Sequence, residues 1–249
     1  MCTLVAAFHP DARYPLVVAA NRDERLQRPS TPPHLWADPL PFLAPRDEQA
    51  GGTWLGLNRH NLFVGVTNRF GVTPEPQRTS RGQLVLSALR SPDAASLHHT
   101  LHTLEPDRYN AFHLLYADPT QAFVTWSDGA RIHQQTLEPG LHIITERSLG
   151  GDDHARTELI LRHAEPLQRP APAPPPSPEE LQHLLGQHGP DPFGSTCVHL
   201  PAFEYGTRSS MMLWMGKTLH DTRLSWAEGP PCTTPFVPQT ELLARLRDP

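Results

Sequence analysis

Cys2 follows the initiator methionine. A small residue at that position permits removal of Met1. A cysteine left first in the chain carries a nucleophile and a base together, its thiol and an α-amino group of ordinary pKa about 7.7–8.0. That amine can take the thiol proton directly or through a water, the logic of catalysis by an N-terminal threonine. The same cysteine also reads as a small apolar residue opening a strand. A second cluster, Asn21-Arg22-Asp23-Glu24, closes an apolar run. Four consecutive polar groups there are costly unless solvated or paired with one another. Beside a thiol, Arg22 would favour the thiolate, and Asn21 or Asp23 could orient an amine. A solvated turn with a local ion pair is the plainer alternative.

Three further segments carry suitable chemistry. Gly51-Gly52-Thr53-Trp54-Leu55-Gly56 joins backbone freedom to one large aromatic, which permits close approach of a ligand or strand. Val66-Thr67-Asn68-Arg69 ends a strand with a side-chain amide, a candidate oxyanion donor. Tyr205-Gly206-Thr207-Arg208-Ser209-Ser210 opens a strand with an arginine flanked by hydroxyls. Each also reads as ordinary turn or hairpin chemistry. Histidine occurs 15 times, with His98 and His102 one helical turn apart and Cys197-Val198-His199 placing a thiol near an imidazole. No Cys-x-x-Cys or His-Glu-x-x-His motif accompanies them, so His98–His102 reads as a solvated helix face, and no metal or cofactor is expected.

Strands must position these groups. Cys2–Phe8 and Leu16–Ala20 read as strands, and residues 28–46 as a long proline-rich loop. Gly51–Leu57 and Leu62–Asn68 form a hairpin around Asn58–Asn61. Ser80 and Gln83 have capping-box spacing before one helix, and Ser91-Pro92-Asp93 starts a second that reaches Leu104. Strands return at Ala111–Ala117, Ala122–Trp126, Arg131–Leu137 and Leu141–Thr145. Helices follow at Asp153–Ala164 and Glu179–Gln187, with a proline-rich excursion at about 165–178 between them. The last strands fall near Thr196–Leu200, Ser209–Met215 and Leu219–Trp226. Grouped strands and helices favour an α+β layered fold with mainly antiparallel sheets, formed by residues 1–249 as a single domain.

Composition narrows the function. With 249 residues and 38% hydrophobic content the chain can bury a substantial core. A formal net charge of −5 gives no basic excess, so no nucleic-acid partner and no polybasic membrane anchor is expected. No apolar run has the length of a transmembrane segment, and the N-terminus lacks the basic start of a signal peptide. The expected compartment is the cytoplasm, where Cys2, Cys197 and Cys232 would remain free thiols.

In order, Cys2, Asn21–Glu24, GGTWLG, Thr67-Asn68, Ser80-Arg81-Gly82, Tyr109-Asn110 and YGTRSS resemble the NRDE family, also called the transport and Golgi organisation two family. The resemblance runs from Cys2 to about Met215. It implies an N-terminal nucleophile hydrolase fold, a four-layer αββα sandwich with two mainly antiparallel sheets. It also implies Cys2 as nucleophile with Arg22 and Asp23 as neighbours. By analogy with choloylglycine hydrolases, Asn68 would donate to the oxyanion and Arg208 would lie beside the thiol. The activity implied is hydrolysis of a small or non-peptide amide. The alternative is a non-catalytic carrier or chaperone for a small-molecule ligand such as haem, with Trp36, Trp54, Phe63 and Phe70 around it. One departure stands out: Ile144-Thr145-Glu146 replaces a Leu-Ser-Asn run of the family. An ionised carboxylate cannot donate to an oxyanion, so either the substrate differs or this position is not catalytic. On this reading Arg22 and Arg208 lower the Cys2 pKa.

Overall fold

The computed structural model describes residues 2–37, 40–150, 154–169 and 172–248. Met1, whose removal is expected, lies outside them. In chain order, β1 (Cys2–Phe8) and β2 (Leu16–Arg25) form the first hairpin, and β3 (Ser30–Trp36) and β4 (Phe42–Asp47) the second. Next come β5 (Leu55–Asn58), β6 (Phe63–Asn68), α1 (Arg81–Ala88) and α2 (Ala94–Leu101). β7 (Phe112–Ala117), β8 (Ala122–Ser127), β9 (Ile132–Thr136) and β10 (Gly140–Ile144) precede α3 (His154–His163) and α4 (Pro178–Leu185). β11 (His199–Leu200), β12 (Tyr205–Met215), β13 (Arg223–Ala227), β14 (Val237–Pro238) and α5 (Thr240–Arg247) complete the set.

Two antiparallel sheets result. One runs β10-β1-β2-β12-β13-β14, with β11 also paired to β12, and the other β3-β4-β5-β6-β7-β8-β9. Side-chain alternation along each strand sorts the core. Leu4, Ala6, Leu16, Val18, Met211 and Leu213 face the second sheet, where Leu57, Phe63, Leu115 and Val124 meet them. The opposite face of β1 and β2, with Val5, Val17 and Ala19, packs on Ile160, Leu181 and Leu184 of α3 and α4. On the far side, α1 and α2 lay Leu84, Val85, Leu89 and Leu97 over Val64, Leu114 and Tyr116. Helix, sheet, sheet, helix: the expected four-layer αββα sandwich is present.

Three local readings need correction. β2 does not stop at Ala20 but continues through Asn21–Arg25, because β1 pairs it as far as Arg22 and β12 as far as Arg25, satisfying its backbone. The region at 28–46 is a hairpin, not a loop. Two of its prolines, Pro32 and Pro33, sit at a register break of β3, an outer strand of its sheet, where a missing N–H costs least. His98 is half-buried rather than solvated; its ring stacks on Phe123 and its Nδ1 lies 2.6 Å from the Tyr116 hydroxyl. β14 and α5 had no counterpart in the sequence reading.

Candidate active site

The residue alternation that sorts the core also divides Asn21-Arg22-Asp23-Glu24 between two environments. Asn21 and Asp23 face the α3–α4 side. Arg22 shares the inter-sheet face with Cys2, its direct cross-strand partner. Asn21 donates Nδ2 to the Leu185 and Thr196 carbonyls at 3.0 and 2.8 Å and accepts from Ser210 Oγ at 2.6 Å. It is a clamp joining β2 to α4 and the following segment.

Beneath it lies a buried charge cluster. Asp23 Oδ1 accepts from Thr207 Oγ1 at 2.6 Å, and Asp23 Oδ2 lies 3.9 Å from Arg156 Nη1. The same Nη1 donates to Glu146 Oε2 at 3.0 Å, and Arg156 Nη2 donates to the Phe193 carbonyl. Burial pushes the Asp23 carboxyl above its ordinary value, with Arg156 the strongest opposing influence. Glu146 is thus the counter-ion of a fully buried arginine.

Arg22 occupies the open end of the inter-sheet space. Its guanidinium carbon sits 4.1 Å from the Trp54 ring centre, and Nη2 lies 3.3 Å from Asp47 Oδ2. Arg28 Nε holds the same Asp47 oxygen at 2.8 Å. Around this network opens a cleft of about 750 Å³ whose walls include Cys2, Arg22, Asp23, Trp54, Asn68 and Arg81. Four of the five residues expected at the site therefore line one cavity.

Arg81 was not among them. It is the first residue of α1, whose N-terminus Ser80 caps by accepting from the Gly82 N–H at 3.2 Å. A Cβ on Gly52 would lie 2.5 Å from the Gly82 carbonyl carbon, so only glycine lets the GGTW loop touch this helix start. That contact brings Arg81 into the cleft, where Nη1 donates to the Ala111 carbonyl at 3.0 Å. Burial lowers its pKa, and Cys2 is the largest influence the other way. Among the described residues no carboxylate forms an ion pair with it, although Glu24 acts on it from further off, so it brings positive charge near the thiol. Its place at the first turn of a capped helix was the available signal.

Arg208 behaves differently. Its backbone reaches the expected strand ends, at the register break of β12 between Thr207 and Ser209, with Ser209 opposite Arg22. Its half-buried side chain does not line the cleft. Arg22 acts to lower the Cys2 pKa, as expected, but the net direction is upward: burial raises it and Asp23 adds to the rise, while the N-terminal amine, Arg22 and the Asp23 backbone N–H only partly offset them. Nor do the four aromatics gather around a flat ligand. Phe63 is core, Trp36 stacks on Phe42, Phe70 is exposed under Arg147, and Trp54 alone lines the cleft.

Behind Asn68, Arg69 Nη1 donates to His113 Nε2 at 2.7 Å, and Thr67 Oγ1 lies 3.1 Å from Nδ1 and donates to the Thr145 carbonyl at 3.2 Å. This network requires a neutral imidazole, and burial followed by Arg69 lowers the His113 pKa to about 4. The sign follows: the folded chain binds fewer protons than the unfolded one between pH 6.5 and 4, so stability falls as pH falls through that window. The contribution lost is about 3 kcal/mol. Urea unfolding at pH 7, 5 and 4 should show a shallower decline for His113→Gln; parallel profiles would contradict it.

Comparisons with known proteins agree with this geometry. The family described as Transport and Golgi organisation 2 matches residues 1–225. A mouse Transport and Golgi organization 2 homolog is 35% identical over 126 residues, covering 47% of this chain and 45% of that protein. The human homolog is 33% identical over 130 residues, covering 49% and 47%. The match thus spans about half the length of these curated relatives. Among solved structures, penicillin V acylase from Agrobacterium tumefaciens is 12% identical at a TM-score of 0.58, covering 97% of this chain and 88% of its own. A variant of conjugated bile acid hydrolase from Clostridium perfringens is 9% identical at 0.62, covering 96% and 93%. Identities that low speak for the fold alone. The family match over residues 1–225, most of the chain, shows that the chain belongs to the Transport and Golgi organisation 2 family.

Proposed function

We propose that this chain is a cysteine N-terminal nucleophile hydrolase acting on a small, non-peptide amide. The observation carrying this reading is a cleft whose walls combine the Cys2 thiol, the Asn68 amide and the Arg81 guanidinium. The solved structures of similar fold are named as an acylase and a hydrolase of conjugated bile acids. Burial raises the thiol pKa, so the thiol is protonated at neutral pH and attack needs a base. After removal of Met1 the Cys2 amine takes that proton while sulfur adds to the amide carbon. Asn68 and Arg81 stabilise the oxyanion. The tetrahedral species then expels the amine, which receives the proton, and water hydrolyses the thioester to release the acid and regenerate the thiol.

The test uses penicillin V, a conjugated bile acid and simple N-acyl amides. Intact mass of protein made in cells should show loss of Met1. Acid quenching during turnover should leave an acyl mass on the Cys2 peptide. Retained Met1 in a protein that still releases amine would remove the mechanism, as would an adduct confined to Cys197 or Cys232.

A further inference from the structure

Residues 188–199 and a loop more than thirty residues later meet beyond the C-terminal end of α4. His188 follows that helix, Cys197 and His199 lead into β11, and Cys232 lies in the loop after β13. One ligand atom from each of the four lies within 4.8 Å of all the others. The sulfurs of Cys197 and Cys232 are 3.6 Å apart, and His199 Nε2 is 3.4 and 3.2 Å from them. With metal–sulfur bonds of about 2.3 Å and metal–nitrogen bonds of about 2.0–2.1 Å, tetrahedral coordination needs S–S edges of about 3.8 Å and S–N edges of about 3.6 Å. These three donors need spread by only a few tenths of an ångström, and the His188 donor lies within 4.8 Å of each of them.

We propose that His188, Cys197, His199 and Cys232 form a structural zinc site. Two thiolates and two imidazoles suit tetrahedral Zn²⁺, and four protein ligands leave no position open for a reacting water. The backbone holds the donors in place. His188 Nδ1 lies 3.1 Å from the Cys197 carbonyl; donating there, it leaves Nε2 as the ligating atom, the outer-shell pattern of metal-bound histidines. The Cys197 N–H donates to the Gln187 carbonyl at 3.0 Å. Gln182 Nε2 holds the Pro231 carbonyl at 2.9 Å beside Cys232, and a Cβ on Gly186 would lie 3.5 Å from the Cys232 Cα. Zinc displaces the two thiol protons to solvent, and the resulting neutral centre needs no further counter-charge.

The site also has a structural task. The Thr196 carbonyl next to it accepts from Asn21, and the Val198 N–H donates to Thr207 Oγ1, which donates to Asp23. Zinc would staple the segment on which Asn21 and Asp23 rely. The sequence reading set metal aside because the ligands follow no Cys-x-x-Cys or His-Glu-x-x-His motif; the fold brings Cys232 to His188, Cys197 and the start of β11.

Protein purified in reducing, chelator-free buffer and dialysed against Zn²⁺ should retain about one zinc per chain. Co²⁺ in its place should give the intense visible bands of a tetrahedral ion and a thiolate charge-transfer band. Cys232→Ser and His199→Ala, both at exposed positions, should each weaken zinc binding by more than about 100-fold. Cys2→Ser should leave the zinc content unchanged. Zinc well below one per chain, a cobalt spectrum without thiolate charge transfer, equal affinity in Cys232→Ser, or a Cys197–Cys232 disulfide persisting in reductant would overturn the proposal.

Discussion

Cys2→Ala is expected to cut amide turnover by about 10⁴-fold or more, the scale on which removal of a catalytic nucleophile acts. The substitution deletes only a sulfur from a half-buried residue, so unfolding free energy should change by less than about 1 kcal/mol. A fall in activity with an unchanged melting curve therefore separates chemistry from folding. The wild-type rate should also rise with pH above neutrality, because burial holds the thiol protonated there. Arg22→Gln removes one of the influences favouring thiolate and should displace that rise to higher pH. Hydrolysis surviving in Cys2→Ala at a tenth or more of the wild-type rate would remove Cys2 from the reaction.

Arg156→Met is expected to destabilise the chain by about 3–5 kcal/mol at pH 7, the cost of leaving buried charge without its partner. Arg156 is fully buried, and both Glu146 and Asp23 depend on its guanidinium. The pH dependence has a definite sign. Burial already raises the folded Asp23 pKa, and losing Arg156 raises it further. Its neutral form is tolerated in the core, so the deficit should shrink as pH falls below that raised value and reach its full size above it. Adding Glu146→Gln should recover part of the loss, because the two positions are in contact. Denaturant titrations at pH 7 and 5 measure both effects. A deficit below about 1 kcal/mol would mean that the charges are relieved by water.

Much of the frame was legible because it depends on local pattern. The apolar Cys2–Phe8 run, the hairpin turning at Asn58–Asn61 and the Ser80 cap each needed only neighbouring residues. What escaped depends on partners distant in the chain. Asn21–Glu24 reads as a strand end until β12, nearly two hundred residues later, pairs with it and carries β2 to Arg25. Arg156 lies in a polar-looking helix, and nothing nearby announces that Asp23 and Glu146 await it in the core. Arg208 shows the converse. Its motif gave the right strand, but a register break next to it determines where the side chain goes, and spacing cannot reveal such a break. Arg81 had been noticed within a motif, yet its proximity to Cys2 follows from two glycine backbones in contact.

The paired prolines of β3 bear on how this chain behaves in company. A sheet margin with free N–H and C=O groups is a template on which a second molecule can lay a strand. Pro32 and Pro33 leave this outer strand without two of its N–H donors, one on each side of a regular strand, and the accompanying register break disturbs its repeat. Another chain would find neither the hydrogen-bond ladder nor the straight edge it needs to dock. The segment that looked too irregular for a sheet thus gives the β3 margin of the wall that carries Trp54 and Asn68 a broken hydrogen-bond ladder, a poorer template for strand addition than a regular edge.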